Sequence, residues 1–183
     1  EPYRRQRQMC IRDSENISLQ DNIILSKQGY CQLDPEMLLY TKDRDSIHLS
    51  EIKRKEYTLV LRYSTQCCST CVEDILRKMR KFEEQYPDID ILLFTTYRVQ
   101  IEKKDFQRIC RFFPKVYNVF SLGIPLDEEV VPYLFVLDRG MRVIDTFIPD
   151  KDLPKLTNRY FERITTTLSR NKAYNYKYYK KEI

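Results

Sequence analysis

Two apolar runs separated by one amphipathic stretch constrain this chain more than any other feature. Residues 57–64, Tyr-Thr-Leu-Val-Leu-Arg-Tyr-Ser, and residues 89–95, Ile-Asp-Ile-Leu-Leu-Phe-Thr, have the β-branched, leucine-rich and aromatic make-up of mostly buried strands. Between them Cys71, Ile75, Met79, Phe82 and Tyr86 recur at three- and four-residue steps, with Glu73, Asp74, Arg77, Lys78, Arg80 and Lys81 on the other side. That period predicts a helix over residues 69–86, ended by the turn at Pro87-Asp88. Strand, helix and strand with so long a crossover imply a parallel pair, and so an α/β protein.

The junction between the first strand and the helix reads Thr65-Gln66-Cys67-Cys68-Ser69-Thr70-Cys71. Cys68 falls at or just before the first helical turn, where unpaired backbone N–H groups and the macrodipole favour negative charge. A thiolate is such a charge, so the position lowers a cysteine pKa. A second thiol three residues on can donate a hydrogen bond to the thiolate and later attack a mixed disulfide. An inert structural pair has no need of a helix N-terminus.

The remaining chain supplies further strands and helices. Residues 1–36 show no sustained periodicity and read as an N-terminal extension carrying Cys10 and Cys31, whose pairing spacing alone leaves open. Residues 37–41 and 46–49 flank the charged turn Lys42-Asp43-Arg44-Asp45 and read as a hairpin, after which Ser50 can cap a short helix over residues 51–54. His48 is the one histidine; it alternates with Ile47 and Leu49 and so faces away from them, as a surface strand residue does. A second amphipathic helix spans residues 103–113, with Phe106, Ile109, Cys110 and Phe113 on one face and Pro114 as its stop; Cys110 there reads as a core residue. Residues 115–129 look irregular and end in Asp127-Glu128-Glu129. Residues 130–138 form a strand headed by Pro132, joined through Arg139-Gly140 to a hairpin partner at 141–147. The last helix is expected over residues 152–168, leaving 169–183 as a basic tail rich in tyrosine and lysine.

Composition narrows the function classes. A chain of 183 residues is long enough for one domain with a real core, and three glycines are too few for a Gly-rich phosphate binder. No apolar run approaches the ~18 residues that span a bilayer. The net charge of +5 is concentrated in arginines near the start and lysines near the end, which are solvated arms rather than a nucleic-acid surface. Six cysteines tilt the compartment towards the extracytoplasmic side, periplasmic or membrane-anchored. The chain starts at Glu1, so a signal peptide or membrane anchor would lie outside it.

A strand, a helix opened by Cys68-Ser69-Thr70-Cys71, a strand, a helix, then Val131-Pro132-Tyr133-Leu134-Phe135-Val136-Leu137-Asp138, a hairpin partner and a last helix resembles the thioredoxin-fold superfamily over residues 37–168. With its preceding hairpin and the insert before the last strands, the chain looks most like the extracytoplasmic TlpA-like thiol-disulfide oxidoreductases of the AhpC/TSA-redoxin type. The resemblance implies a thioredoxin fold, a central mixed β-sheet flanked by helices with an N-terminal β-hairpin and extension. It implies that Cys68 is the nucleophile and Cys71 the resolving thiol. It implies, too, that Pro132 is a cis-proline facing them and that Val131 offers its backbone to an extended substrate segment. The activity implied is disulfide exchange with protein thiols and disulfides, with a dithiol protein as redox partner and no metal, nucleotide or organic cofactor.

The sequence departs from that pattern at several positions. Cys67 stands where many relatives have tryptophan, and Ser69-Thr70 replaces the usual inner pair. Arg62 stands where thioredoxins place a buried acid; it cannot accept a proton, but its charge can lower a nearby thiol pKa. Tyr133 is bulkier than the usual residue after the proline and would narrow the groove. Cys67, Arg62 and Tyr133 are therefore candidate modulators. Three other readings remain. The first is a non-catalytic thioredoxin-fold interaction module. The second is a peroxiredoxin-like peroxidase, suggested by Thr65-Gln66-Cys67-Cys68 but lacking the expected proline at Leu61. The third is a copper-handling Sco-like protein, for which no histidine follows the cysteines and the site would be thiolate-only.

Overall fold

The expected buried run at residues 57–64 becomes the middle of an eight-stranded mixed sheet. The computed structural model describes residues 31–97 and 103–179. In chain order the strands are β1 (Cys31–Gln32), β2 (Leu38–Tyr40), β3 (Ser46–His48), β4 (Tyr57–Ser64), β5 (Asp90–Thr96), β6 (Val116–Asn118), β7 (Tyr133–Asp138) and β8 (Arg142–Phe147). The helices are α1 (Ser69–Gln85), α2 (Lys103–Phe112) and α3 (Pro154–Tyr179), with single 3-10 turns at Leu49–Glu51 and Pro125–Glu128. Sheet order is β1-β8-β7-β4-β5-β6-β2-β3. β4 and β5 run parallel from Thr58 opposite Asp90 to Ser64 opposite Thr96, β5 and β6 are also parallel, and β7 pairs antiparallel with β4, Arg62 opposite Tyr133.

Alternation along the central strands divides the interior into two layers. Leu59, Leu61, Ile91, Leu93, Leu134 and Val136 face a cluster completed by Val72, Ile75, Met79 and Phe82 of α1, Phe106 of α2, and Tyr160 and Ile164 of α3. Val60, Leu92, Phe94, Phe135 and Leu137 face the other way, against Leu39, Leu49, Ile52 and the loop residues Val119, Leu122, Ile124 and Leu126. All three helices therefore add side chains to one layer, while turns and irregular chain close the other. No described helix is long and apolar enough to cross a membrane.

Several expectations shift in detail. Residues 115–129 are not wholly irregular, because Val116–Asn118 joins the sheet beside β5 and carries the β2–β3 hairpin through Tyr40 opposite Asn118. The segment after His48 is one 3-10 turn with no side-chain cap, so Ser50 caps nothing. Helix α3 continues to Tyr179 rather than ending near 168, since no proline or glycine follows Pro154 to stop it. Cys10 and most of the N-terminal extension lie outside the described residues, and so does any pairing of Cys10 with Cys31.

Candidate active site

The turn from β4 into α1 sends its two adjacent cysteines in opposite directions. Cys67 is 8% exposed and belongs to the core layer under α1. Its N–H donates to the Ser64 carbonyl at 3.1 Å, and its Sγ accepts from the Ser64 N–H at 3.4 Å. It therefore closes the turn. Cys68 is the N-cap of α1, with its carbonyl accepting from the Val72 N–H at 3.0 Å, and its side chain is exposed. Thr70 Oγ1 lies 3.1 Å from Cys68 Sγ. Both Cys68 and Cys71 are free thiols.

The two thiols are driven apart in acidity. Hydrogen bonds from the Cys71 thiol, the Thr70 hydroxyl and the Cys71 N–H, with the nearby Lys151 charge, lower Cys68 from an ordinary value near 9 to about 7. Burial, the hydrogen bond to Cys68 and the charge on Cys68 push Cys71 up to about 11. Near neutral pH a large share of the exposed Cys68 is thiolate, beside a Cys71 that keeps its proton and donates it as a hydrogen bond. Lys151 and Asp150, in the loop before α3, were not visible as site residues from sequence. They follow β8 by a few positions, and only the sheet order brings that loop to the cysteines.

Arg62 does not lend its charge to the thiols. It is buried, and its Nε donates to Asp127 Oδ1 at 2.9 Å while its other nitrogens reach the Tyr63 and Phe120 carbonyls. Asp127 also accepts from the Tyr133 hydroxyl at 2.8 Å, the Ser121 hydroxyl at 3.0 Å and the Leu122 N–H. Burial alone raises the Asp127 pKa, but the Arg62, Leu122 and Tyr133 donors outweigh it and hold the carboxyl below its ordinary range. Tyr133 is buried, and its phenol is pushed up by that burial and by Asp127. Its ring lies against Phe135, with centroids 5.9 Å apart. It is thus a core anchor, with its ring spent on packing.

Register places the proline segment at the cysteine end of the sheet. Tyr133 lies opposite Arg62, so Pro132 and Val131 run on beside the last two residues of β4, the end from which the cysteine turn departs. Pro132 is buried and Val131 half-buried. The cis bond implied by the resemblance is absent: the Val131–Pro132 peptide is trans, as are all peptides among the described residues. An X-Pro amide favours trans by about 0.5–1 kcal/mol unless packing selects the other isomer. On the opposite flank of the turn, a cleft of about 190 Å³ is bordered by Tyr63, Cys67, Glu73, Tyr97 and Arg108, and Cys68 stands outside it. Among the described residues no group of three His, Cys, Asp or Glu side chains could hold a metal ion.

Neither a protein-family model nor a curated protein matches the chain. Solved structures do. A thiol peroxidase from Chromobacterium violaceum aligns over 76% of this chain and 86% of its own, at 13% identity and TM-score 0.53. A domain of a possible thiol-disulfide isomerase from Cytophaga hutchinsonii aligns over 74% of this chain and 95% of its own, at 17% identity and TM-score 0.49. A thiol-disulfide oxidoreductase from Bacteroides fragilis aligns over 70% and 98%, at 12% identity and TM-score 0.47. Likeness at such identity concerns the fold. The parallel β4–β5 pair crossed by a helix that opens at Cys68, with β7 antiparallel on the other flank of β4, agrees with the first of these structures: the chain has the thioredoxin fold.

Proposed function

We propose that the protein is a thiol-disulfide oxidoreductase acting on protein substrates. The observation that carries this reading is the split between Cys68, exposed and lowered to about 7, and Cys71, raised to about 11. A nucleophile must be a thiolate and accessible; a resolving thiol must keep its proton until needed.

The Cys68 thiolate attacks one sulfur of a substrate disulfide. The S–S bond breaks, a Cys68–substrate disulfide forms, and the second substrate sulfur leaves as thiolate and takes a proton from water. Cys71 then gives up its proton and attacks the Cys68 sulfur, which releases the first substrate sulfur and leaves a Cys68–Cys71 disulfide. Two electrons have passed to the substrate, and a second dithiol protein returns them. In this reading Val131 and Pro132 hold the substrate segment during exchange, with the free backbone groups of Val131 as the pairing edge. The hairpin ahead of β4 and the insert between α2 and β7 favour the TlpA-like branch, and the cysteine content favours work outside the cytosol.

The test is insulin reduction by wild type and Cys68→Ser, with mass-spectrometric mapping of the oxidised protein. Activity that depends on Cys68, together with a Cys68–Cys71 disulfide, is the expected result. Equal rates for the two proteins would leave the non-catalytic interaction module as the reading.

A further inference from the structure

The end of the sheet that carries Cys68 also carries an exposed phenylalanine on a hydrogen-bonded backbone and two adjacent carboxylates. Because β4, β5 and β6 are parallel, their C-terminal ends share one edge. The Thr65 N–H of the cysteine turn donates to the Thr96 carbonyl at 3.3 Å, and the Thr96 hydroxyl donates to the Val119 carbonyl at 2.9 Å. Two hydrogen bonds thus link the turn to the segment before Phe120.

Phe120 is 90% exposed, the most of any large apolar side chain among the described residues. Its backbone is nonetheless fixed. The Phe120 carbonyl accepts from Arg62 at 3.1 Å, and the next two residues are tied to Asp127 through the Ser121 hydroxyl and the Leu122 N–H. With the backbone already hydrogen-bonded, only the rotamer freedom of the ring remains to be lost on binding. From the same Asp127 the chain continues through Glu128, Glu129 and Val130, all exposed, to Val131 and Pro132. Neither glutamate has an ion-pair partner among the described residues. Lys151, the cation that acts on Cys68, belongs to the loop before α3 and is accompanied there by Asp150.

We propose that Phe120 together with Glu128 and Glu129 determines substrate choice, selecting protein segments in which an apolar and a basic side chain accompany the reactive cysteine. The inference rests on the redox function above and narrows its substrate class. The ring meets the apolar side chain, and the carboxylates draw in the basic one from solution.

Two peptides test it, each with a phenylalanine beside one cysteine held as a mixed disulfide with a chromogenic aromatic thiol. They differ only in carrying two lysines or two glutamates. Reduced protein is mixed with each in single turnover, and hydroxyethyl disulfide serves as a small neutral substrate. Wild type is expected to reduce the lysine peptide about 10-fold faster than the glutamate peptide at low salt, with the ratio contracting in high salt. Any thiolate favours a cationic peptide to some degree, so the variants are decisive. Glu128→Lys combined with Glu129→Lys is expected to invert the preference, and Phe120→Ser to slow both peptides about fivefold, while the hydroxyethyl disulfide rate stays at the wild-type level in each. An unchanged peptide ratio in the charge-reversed protein, or unchanged peptide rates in Phe120→Ser, overturns the proposal while leaving the redox function standing. Hydroxyethyl disulfide reduction by wild type no faster than by Cys68→Ser overturns the redox function, and the substrate inference with it.

Discussion

Cys67 and Cys68 show how one turn assigns different work to identical side chains. Cys67 faces the core and accepts from Ser64, whereas Cys68 faces water and collects donors from Thr70 and Cys71. Because the Cys71 thiol is the largest influence lowering Cys68, its removal has a defined consequence. Iodoacetamide alkylation of wild type is expected to rise with pH through a midpoint near 7 at Cys68. In Cys71→Ala the midpoint should move up towards the ordinary thiol value; a midpoint that stays near 7 would mean that Thr70 and the helix terminus suffice. This pair was legible from sequence because its chemistry is local. The use of Arg62 was not, since its partner Asp127 lies 65 positions away. Asp127→Asn should destabilise the fold by about 3–5 kcal/mol in urea denaturation, because it leaves the Arg62 charge buried without a counter-ion. The sign of the pH dependence follows from the lowered folded pKa of Asp127. Its stabilisation is fully present above the ordinary carboxylate value and lost as pH falls through the lower folded value. Denaturation midpoints below pH 4 should therefore converge between wild type and Asp127→Asn. A gap that persists unchanged in acid would show that the side chain acts through packing instead of charge.

At the scale of elements, length decides what a sequence reveals. β4, β5, β7 and α1 carry enough residues for a period to stand out, and each lies within a few positions of its expected span. β1 and β6, of two and three residues, have no period to read; partners create them, Val143 for Cys31 and Leu93 for Val116. Helix α1 is the element on which both cysteines depend, and Ile75, Met79 and Phe82 seat it on β4 and β5. Met79 is fully buried, so Met79→Ala should cost about 2–5 kcal/mol in urea denaturation, through lost burial and a residual cavity. The Cys68 midpoint should nevertheless stay near 7 in the folded variant, since the groups that set it all lie within the first turn or in the Lys151 loop. A midpoint displaced along with stability would mean that the seating of the whole helix governs the thiol.

For the whole molecule, the sheet order fixes which parts of the site are stiff. β4 has a partner along nearly its full length on both sides, and Thr58 to Tyr63 are all buried. The β2–β3 hairpin, by contrast, joins the sheet through the single pair Tyr40–Asn118, and β1 through two. Stability should grade accordingly, because amides open locally where few buried contacts and few ladder bonds hold them. Native-state hydrogen exchange is expected to be slowest in β4, β5 and β7, and fastest in β1 and the hairpin. The cysteine turn then hangs from the most protected strand. The segment bearing Phe120 leaves from β6, which is short, and is held by Arg62 reaching across from β4 and by the Asp127 bonds to Ser121 and Leu122 that the same ion pair positions. In Arg62→Met, exchange should accelerate at residues 119–127 and remain slow in β5, provided the variant folds. Uniform acceleration across the sheet would mean that the ion pair supports global stability alone, and that the Phe120 loop owes its rigidity to something else.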